Sequence, residues 1–257
     1  MKIVFTMISL ALMTYCLVSC KTMRTSEQQE TAELHMQIAI SYIQKDNLPT
    51  ALKELLIAED LAPGNAAVQS NLGLVYFLRE RFELSERHYL SAIKFRPDFT
   101  EAKNNLARVY IENDQLRQAE PLLKEALKDL TFTDFSSVYA NYGILEFKKK
   151  RYPQAKTYLK KALEADRENC MSHVYLGRAN LELNELSLAI DELEKGIAFC
   201  SPAGIDEAHY YAALAFFRNN QRDRAMVRFE ELIKLFPNGK NNEKSKKMLL
   251  LIKKGNL

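Results

Sequence analysis

The stretch Ala66 to Pro97, AAVQSNLGLVYFLRERFELSERHYLSAIKFRP, decides the fold. Its first half places Leu72, Gly73 and Tyr76 on one helical face. Its second half places Ser85, Tyr89 and Ala92 at a comparable spacing before Pro97 stops the helix. The stretch therefore reads as two helices and a turn. A hairpin of about 32 residues buries too little apolar surface to offset its ordering entropy, so neighbours of the same kind must stack on it.

Those neighbours are present. The alanine or serine that lets the second helix approach the first recurs at Ala51, Ser85, Ala119, Ala155, Ala189 and Ala225, with successive differences of 34, 34, 36, 34 and 36. A small residue in the first helix keeps the same register: Ala39, Gly73, Ala107, Gly143, Gly177 and Ala213. An aromatic residue follows three positions later at Tyr42, Tyr76, Tyr110 and Phe216, but repeats four and five carry Glu146 and Asn180 instead. Closing prolines stand at Pro63, Pro97 and Pro237. The repeats that follow three and five start two residues late, so those two joints should be longer or bent. Lys240 to Lys254 then reads as a capping helix with one apolar side.

This pattern resembles the tetratricopeptide repeat. The resemblance implies an all-α superhelix, an α-solenoid of six helix hairpins with a C-terminal capping helix. Composition agrees: 47% of the 257 residues are hydrophobic, while glycine and proline number only 8 and 7, too few for a β-sandwich or a Gly-rich nucleotide fold. The formal charge is +3, from 36 basic and 33 acidic residues interspersed, which does not point to nucleic acid. The basic runs Lys148-Lys149-Lys150-Arg151 and Lys244 to Lys247 read as solvated helix ends.

Ahead of the repeats, Met1-Lys2 and the mostly apolar Ile3 to Val18 have the length and flanks of a signal peptide, residues 1–19. The segment ends in Leu17-Val18-Ser19-Cys20, which resembles the bacterial lipobox, so Cys20 is expected to carry lipid. Lys21 follows where inner-membrane lipoproteins commonly have aspartate, which implies outer-membrane anchoring with the protein facing the periplasm. Polar residues up to Thr31 read as a tether, giving a lipidated tether over 20–31 and a repeat domain over 32–257.

No catalytic apparatus or cofactor site is indicated. The sequence has no Gly-rich phosphate loop, G-x-S-x-G elbow, H-E-x-x-H helix or zinc-spaced Cys/His cluster. His35, His173 and His209 share one register position, where this repeat family often packs a tryptophan, so they read as packing residues rather than metal ligands. Cys170 opens the first helix of repeat five and Cys200 follows its second. Those two ends are neighbours in an antiparallel hairpin, so the pair either forms a disulfide or remains two buried thiols.

In this repeat family the first helix of each pair lines the concave surface. Its exposed face carries Met36, Ile40, Ile43, Leu74, Phe77, Ile111, Ile144, Phe147, Val174, Leu181, Tyr210, Leu214 and Phe217, more apolar residues than a solvated face tolerates. Asn71, Asn105 and Asn141 fall at its sixth position in consecutive repeats. Amides both donate and accept, so such a row suits the backbone of an extended peptide, with Arg108 and Arg178 adding carboxylate or carbonyl contacts. The alternative is that the asparagines bond to neighbouring helices and set the stacking.

From Thr100 to Ala162 the sequence also resembles the type IV pilus biogenesis lipoproteins, the pilotins of the PilF/PilW group: a double asparagine, a two-residue extension with an aromatic, and a following N-x-G helix. That resemblance implies a non-enzymatic protein that binds partners in its groove, with a secretin subunit as partner, and assists secretin localisation and multimerisation. The competing expectation is an envelope adaptor that docks peptidoglycan hydrolases or proteases.

Overall fold

A computed structural model describes residues 26–200 and 205–255. Among these residues the chain is all-α, with thirteen helices and no strand. α1 occupies residues 26–44. It is followed by α2 (Leu48–Leu61), α3 (Ala66–Leu78), α4 (Phe82–Phe95), α5 (Thr100–Glu112), α6 (Leu116–Ala126) and α7 (Phe135–Lys148). Then come α8 (Tyr152–Ala165), α9 (Cys170–Glu182), α10 (Leu186–Phe199), α11 (Asp206–Arg218), α12 (Arg222–Leu235) and α13 (Asn242–Lys253). In chain order they make six helix–turn–helix pairs and a final helix, as the repeat spacing implies. No helix among the described residues is long and apolar enough to cross a membrane. The signal-peptide and lipobox residues, Cys20 included, lie outside the described residues.

Residues 26–31, the last part of the stretch read as a tether, are helical. Their glutamates and glutamines favour helix, Thr31 Oγ1 donates to the Glu27 carbonyl at 2.8 Å, and fully buried Ala32 pins the next turn. The chain divides into two compact units, the first ending at Val109 and the second starting at Tyr110 within α5.

Each hairpin is held at the crossing of its helices. Ala51, Ser85, Ala119, Ala155, Ala189 and Ala225 are completely buried. Serine is tolerated in this register because Ser85 Oγ donates to the Gly73 carbonyl at 2.7 Å, which satisfies the buried hydroxyl. Four residues further on stand Leu55, Tyr89, Leu123, Leu159, Leu193 and Phe229, also buried. At Gly143 a Cβ would lie 2.4 Å from Leu159 Cγ and 3.2 Å from the Leu159 backbone nitrogen. The glycine therefore sets how closely α7 and α8 cross. Gly143→Ala is expected to force the pair apart and cost about 1–3 kcal/mol, read as a lowered urea midpoint. An unchanged midpoint would mean the crossing has slack.

Every first helix ends in the same way. Asp46, Glu80, Asp114, Lys150, Asn184 and Asn220 adopt φ of 56 to 60°, and the next residue's N–H reaches five residues back to a helix carbonyl, as Asn47 to Tyr42 at 2.9 Å. The joints between hairpins are four residues long at 62–65, 96–99 and 166–169, but eight at 127–134 and six at 200–205. The two longer joints fall after repeats three and five, as the late repeat starts require. Residues 201–204, in the second of them, lie outside the described residues. At that joint Cys170 and Cys200 are linked by a disulfide, their Cα atoms 5.1 Å apart, which closes the open end of the α9/α10 hairpin.

Candidate functional site

In the first unit, α3 and α5 present the residues singled out from the sequence. Asn65 caps α3, its side chain accepting from the Ala67 and Val68 amides at 2.9 and 3.2 Å, and so fixes where the helix starts. Asn71, Leu74 and Phe77 follow on α3, all half-buried. Asn71 Nδ2 donates to the Ala67 carbonyl one turn back at 2.9 Å, which commits one of its two amide hydrogens to its own helix and leaves the other, with the amide oxygen, to offer a partner. Asn105 and Arg108 stand one turn apart on α5, also half-buried. The Arg108 guanidinium lies 5.0 Å from the Phe77 ring centroid, a cation–π contact that ties α5 to α3. The ring also meets Phe82, at 5.8 Å. Arg108 Nε is buried without a hydrogen-bond partner. These five side chains form one mixed apolar and amide face.

In the second unit the expected exposed face is largely covered. Asn141 and Ile144, placed on α7 as contact residues, are only 5% and 4% exposed, and Ile111, Val174 and Leu181 are buried as well. The reason is packing: α9 lies against both α8 and α7 and covers the side of α7 that the sequence alone leaves open. In the first unit Met36 is buried in the α1–α3 core by the same kind of stacking. Phe147 stays half-buried, its ring against Tyr152 and Tyr175.

Arg178 belongs to an internal cluster rather than to a free contact surface. Its guanidinium carbon lies 4.5, 4.7 and 4.4 Å from the ring centroids of Phe147, Tyr175 and Tyr211. Nη1 donates to Glu207 Oε1 at 2.6 Å, so the carboxylate contact expected from a partner is already made by α11. Burial, together with the Glu207 carboxylate, holds the Tyr175 hydroxyl well above the usual phenol range, so it stays protonated. The sequence contained this cluster in two forms. Tyr175 and Tyr211 continue the asparagine register into repeats five and six, and each arginine follows its phenylalanine by 31 residues, Phe77 to Arg108 and Phe147 to Arg178. The spacing describes a phenylalanine on one first helix clasped by an arginine on the next.

The basic run at the end of α7 is not simply solvated. Lys148 Nζ donates to the Ile111 carbonyl at 2.7 Å, and Lys149 bridges Glu120 at 2.8 Å and Glu146 at 3.2 Å. Lys124 and Lys149 together hold the Glu120 carboxyl down at about 2. Glu146, which replaces the repeat's aromatic residue, also accepts from Arg151, so an ion cluster fills the space a ring would occupy.

His35, His173 and His209 pack between helices of their own repeats. His35 Nδ1 meets Glu54 at 2.6 Å, and His173 lies between Glu192, at 2.6 Å from Nδ1, and the Arg167 carbonyl, at 2.9 Å from Nε2. A carboxylate and a carbonyl both accept, so this setting favours the ring with a proton on each nitrogen. Burial opposes the charge, but these bonds outweigh it and raise the pKa above that of a free imidazole. His209 lies against Phe236 and its pKa falls with burial and the nearby Arg228. Among the described residues no group of three or more His, Cys, Asp or Glu side chains converges to hold a metal ion.

The tetratricopeptide repeat pattern matches residues 36–99 and 140–205, with further matches at 100–129 and 207–239. The chain belongs to the tetratricopeptide-repeat family. Among curated relatives, this tetratricopeptide-repeat protein is 25% identical over 140 residues to the type IV pilus assembly protein PilF of Pseudomonas aeruginosa. The match covers 54% of this chain and 56% of PilF. It is also 27% identical over 177 residues to the human protein O-mannosyl-transferase TMTC3, covering 63% of this chain and 19% of that protein. The chain thus spans little more than half the length of one relative and a fifth of the other. Among solved structures, Pseudomonas aeruginosa PilF aligns with a TM-score of 0.67 at 19% identity, over 86% of this chain and 99% of that one. PilW, described as a widely conserved type IV pilus biogenesis factor, aligns at 0.70 and 17% identity, over 83% and 97%. At these identities the structural likeness establishes the repeat fold, and the homology to PilF rests on the sequence match.

Proposed function

We propose that this tetratricopeptide-repeat protein is a non-enzymatic outer-membrane lipoprotein, facing the periplasm, that serves type IV pilus biogenesis by holding a secretin subunit while it localises and multimerises. The observation that carries this reading is the sequence relation to PilF. Two others support it. The leader, residues 1–19, is followed by Cys20 as an acylation site, and acyl chains hold a protein to a bilayer at about 0.8 kcal/mol per buried CH₂. The Cys170–Cys200 disulfide suits an oxidising compartment such as the periplasm.

The receptor surface we assign is the face on α3 and α5 of the first unit, where Asn71, Leu74, Phe77 and Asn105 remain partly accessible. An apolar, amide-bearing face recognises an extended or amphipathic segment through shape and backbone contacts, and suits a pore subunit that must be kept from aggregating. The clasp around Arg178 keeps a structural part in this reading, and Asn141 and Ile144 have none at the surface.

The test is the double variant Phe77→Glu with Asn105→Ala. The new carboxylate faces Arg108 and pairs with it, so the domain keeps its fold while the face loses its ring and one amide. Pili should be lost and the secretin should remain monomeric, with the variant's thermal midpoint close to the parent's. Normal secretin multimers in a folded variant would refute the assignment of this face, and recovery of a peptidoglycan hydrolase instead of a secretin from membrane extracts would favour the adaptor reading.

A further inference from the structure

Helix α13 has two different sides. Asn242, Ser245 and Ile252 are buried, and Met248 and Leu249 pack against the cluster built on Phe216 and Phe229. That side caps the sixth hairpin. On the opposite side Leu250 and Leu251 are 54% and 37% exposed, a high value for adjacent leucines in a helix whose inner face is fully used. Lys244, Lys247 and Lys254 flank them, all exposed and none of them in an ion pair among the described residues. Lys246 and Lys253 are held by Glu243 at 2.7 Å and by Glu230 at 2.9 Å.

The charge of this segment departs from that of the rest of the chain. Residues 240–254 contain six lysines and one glutamate, a net of +5, whereas the whole chain carries +3, so everything outside the segment is net −2. A capping helix needs a polar outer face for solubility, and a balanced one would serve. This one concentrates positive charge around two exposed leucines.

We propose that the outer face of α13 docks on an anionic lipid bilayer. The complementarity is of two kinds. Lys247 and Lys254, one turn before and one turn after the leucine pair and between the two leucines around the helix, reach lipid phosphates with their flexible stems, while Leu250 and Leu251 on either side enter the boundary between headgroups and acyl chains. An acidic protein surface would satisfy the lysines but would have to supply an apolar recess for two adjacent leucines. A bilayer supplies both at once. The contact is independent of the α3/α5 face and of lipid on Cys20, and it would give the second unit its own hold on the membrane surface.

The chain contains no tryptophan, so Leu250→Trp places a single indole reporter in the full-length protein. On vesicles of phosphatidylcholine with about one quarter phosphatidylglycerol, its emission should shift to the blue and its quenching by acrylamide should fall roughly threefold. On pure phosphatidylcholine neither change should occur, whether or not the protein is held there by its N-terminal lipid. Adding Lys244→Glu, Lys247→Glu and Lys254→Glu should abolish both changes while the helical circular dichroism is kept. Leu251→Trp, also at an exposed site, serves as a second reporter if the first perturbs the helix. An emission indifferent to phosphatidylglycerol in both reporters, or an equal shift on neutral vesicles, overturns the proposal. The same shift produced by soluble polyglutamate overturns it in favour of an acidic protein partner.

Discussion

Reduction of the Cys170–Cys200 disulfide is expected to lower the stability of the second unit by about 3 to 4 kcal/mol. The bond joins the start of α9 to the end of α10, 30 residues apart, and so removes that much loop freedom from the unfolded chain. Its position adds to the effect. It shuts a hairpin at the open end, next to the six-residue joint 200–205, where no four-residue connection holds α10 close to α11. Denaturant unfolding with and without reductant should show the loss, and Cys170→Ser with Cys200→Ser should reproduce it. Two reactive thiols in the unfolded, unreduced protein, or a midpoint indifferent to reductant, would rule the contribution out.

Phe229→Ala is expected to cost about 3–5 kcal/mol and to act on one end of the array. Phe229 is completely buried in α12, with Ala213, Phe216, Ala225 and Ile252 in the same cluster and the Tyr210 ring 6.0 Å away. Removing the ring leaves a cavity between hairpin six and the cap, and the alanines around it have no longer side chain with which to fill it. Because stacked repeats touch only their neighbours, the loss should be local. Amide exchange should quicken in α11, α12 and α13 first and leave α2 and α3 near their parent rates. Uniform loss of protection across both units would show instead that the chain unfolds as one block.

The repeat was legible because its strongest constraint is local. Two helices cross at a small residue, and that requirement writes Ala51, Ser85, Ala119, Ala155, Ala189 and Ala225 into the sequence at a period no loop can hide. The late starts of repeats four and six likewise announced the longer joints. The contact face was less legible. Whether Asn141 and Ile144 face outward depends on how far α9 overlaps α7, and that is set by packing between repeats rather than by the 3.6-residue pattern within α7. The same holds for Lys148, whose partner Ile111 is 37 residues away. A charge run carries no mark of whether its partners lie in water or in the preceding repeat. Glu146 and Asn180 did carry a mark, since both interrupt an aromatic register, and at Glu146 the interruption is explained by Lys149 and Arg151 beside it.

Glycine has an unusual division of labour in this chain. The six first helices all end in a left-handed residue, the conformation glycine adopts most freely, yet the positions are held by Asp46, Glu80, Asp114, Lys150, Asn184 and Asn220. Glycine is placed instead at Gly73, Gly143, Gly177 and Gly196, where a Cβ would come within 3 Å of a facing side chain. Closeness is secured at the crossing, and strain is accepted at the turn. In mechanical language, each hairpin is a stiff clasp with a sprung hinge, so a load on the array should open it from the turns while the crossings hold their grip.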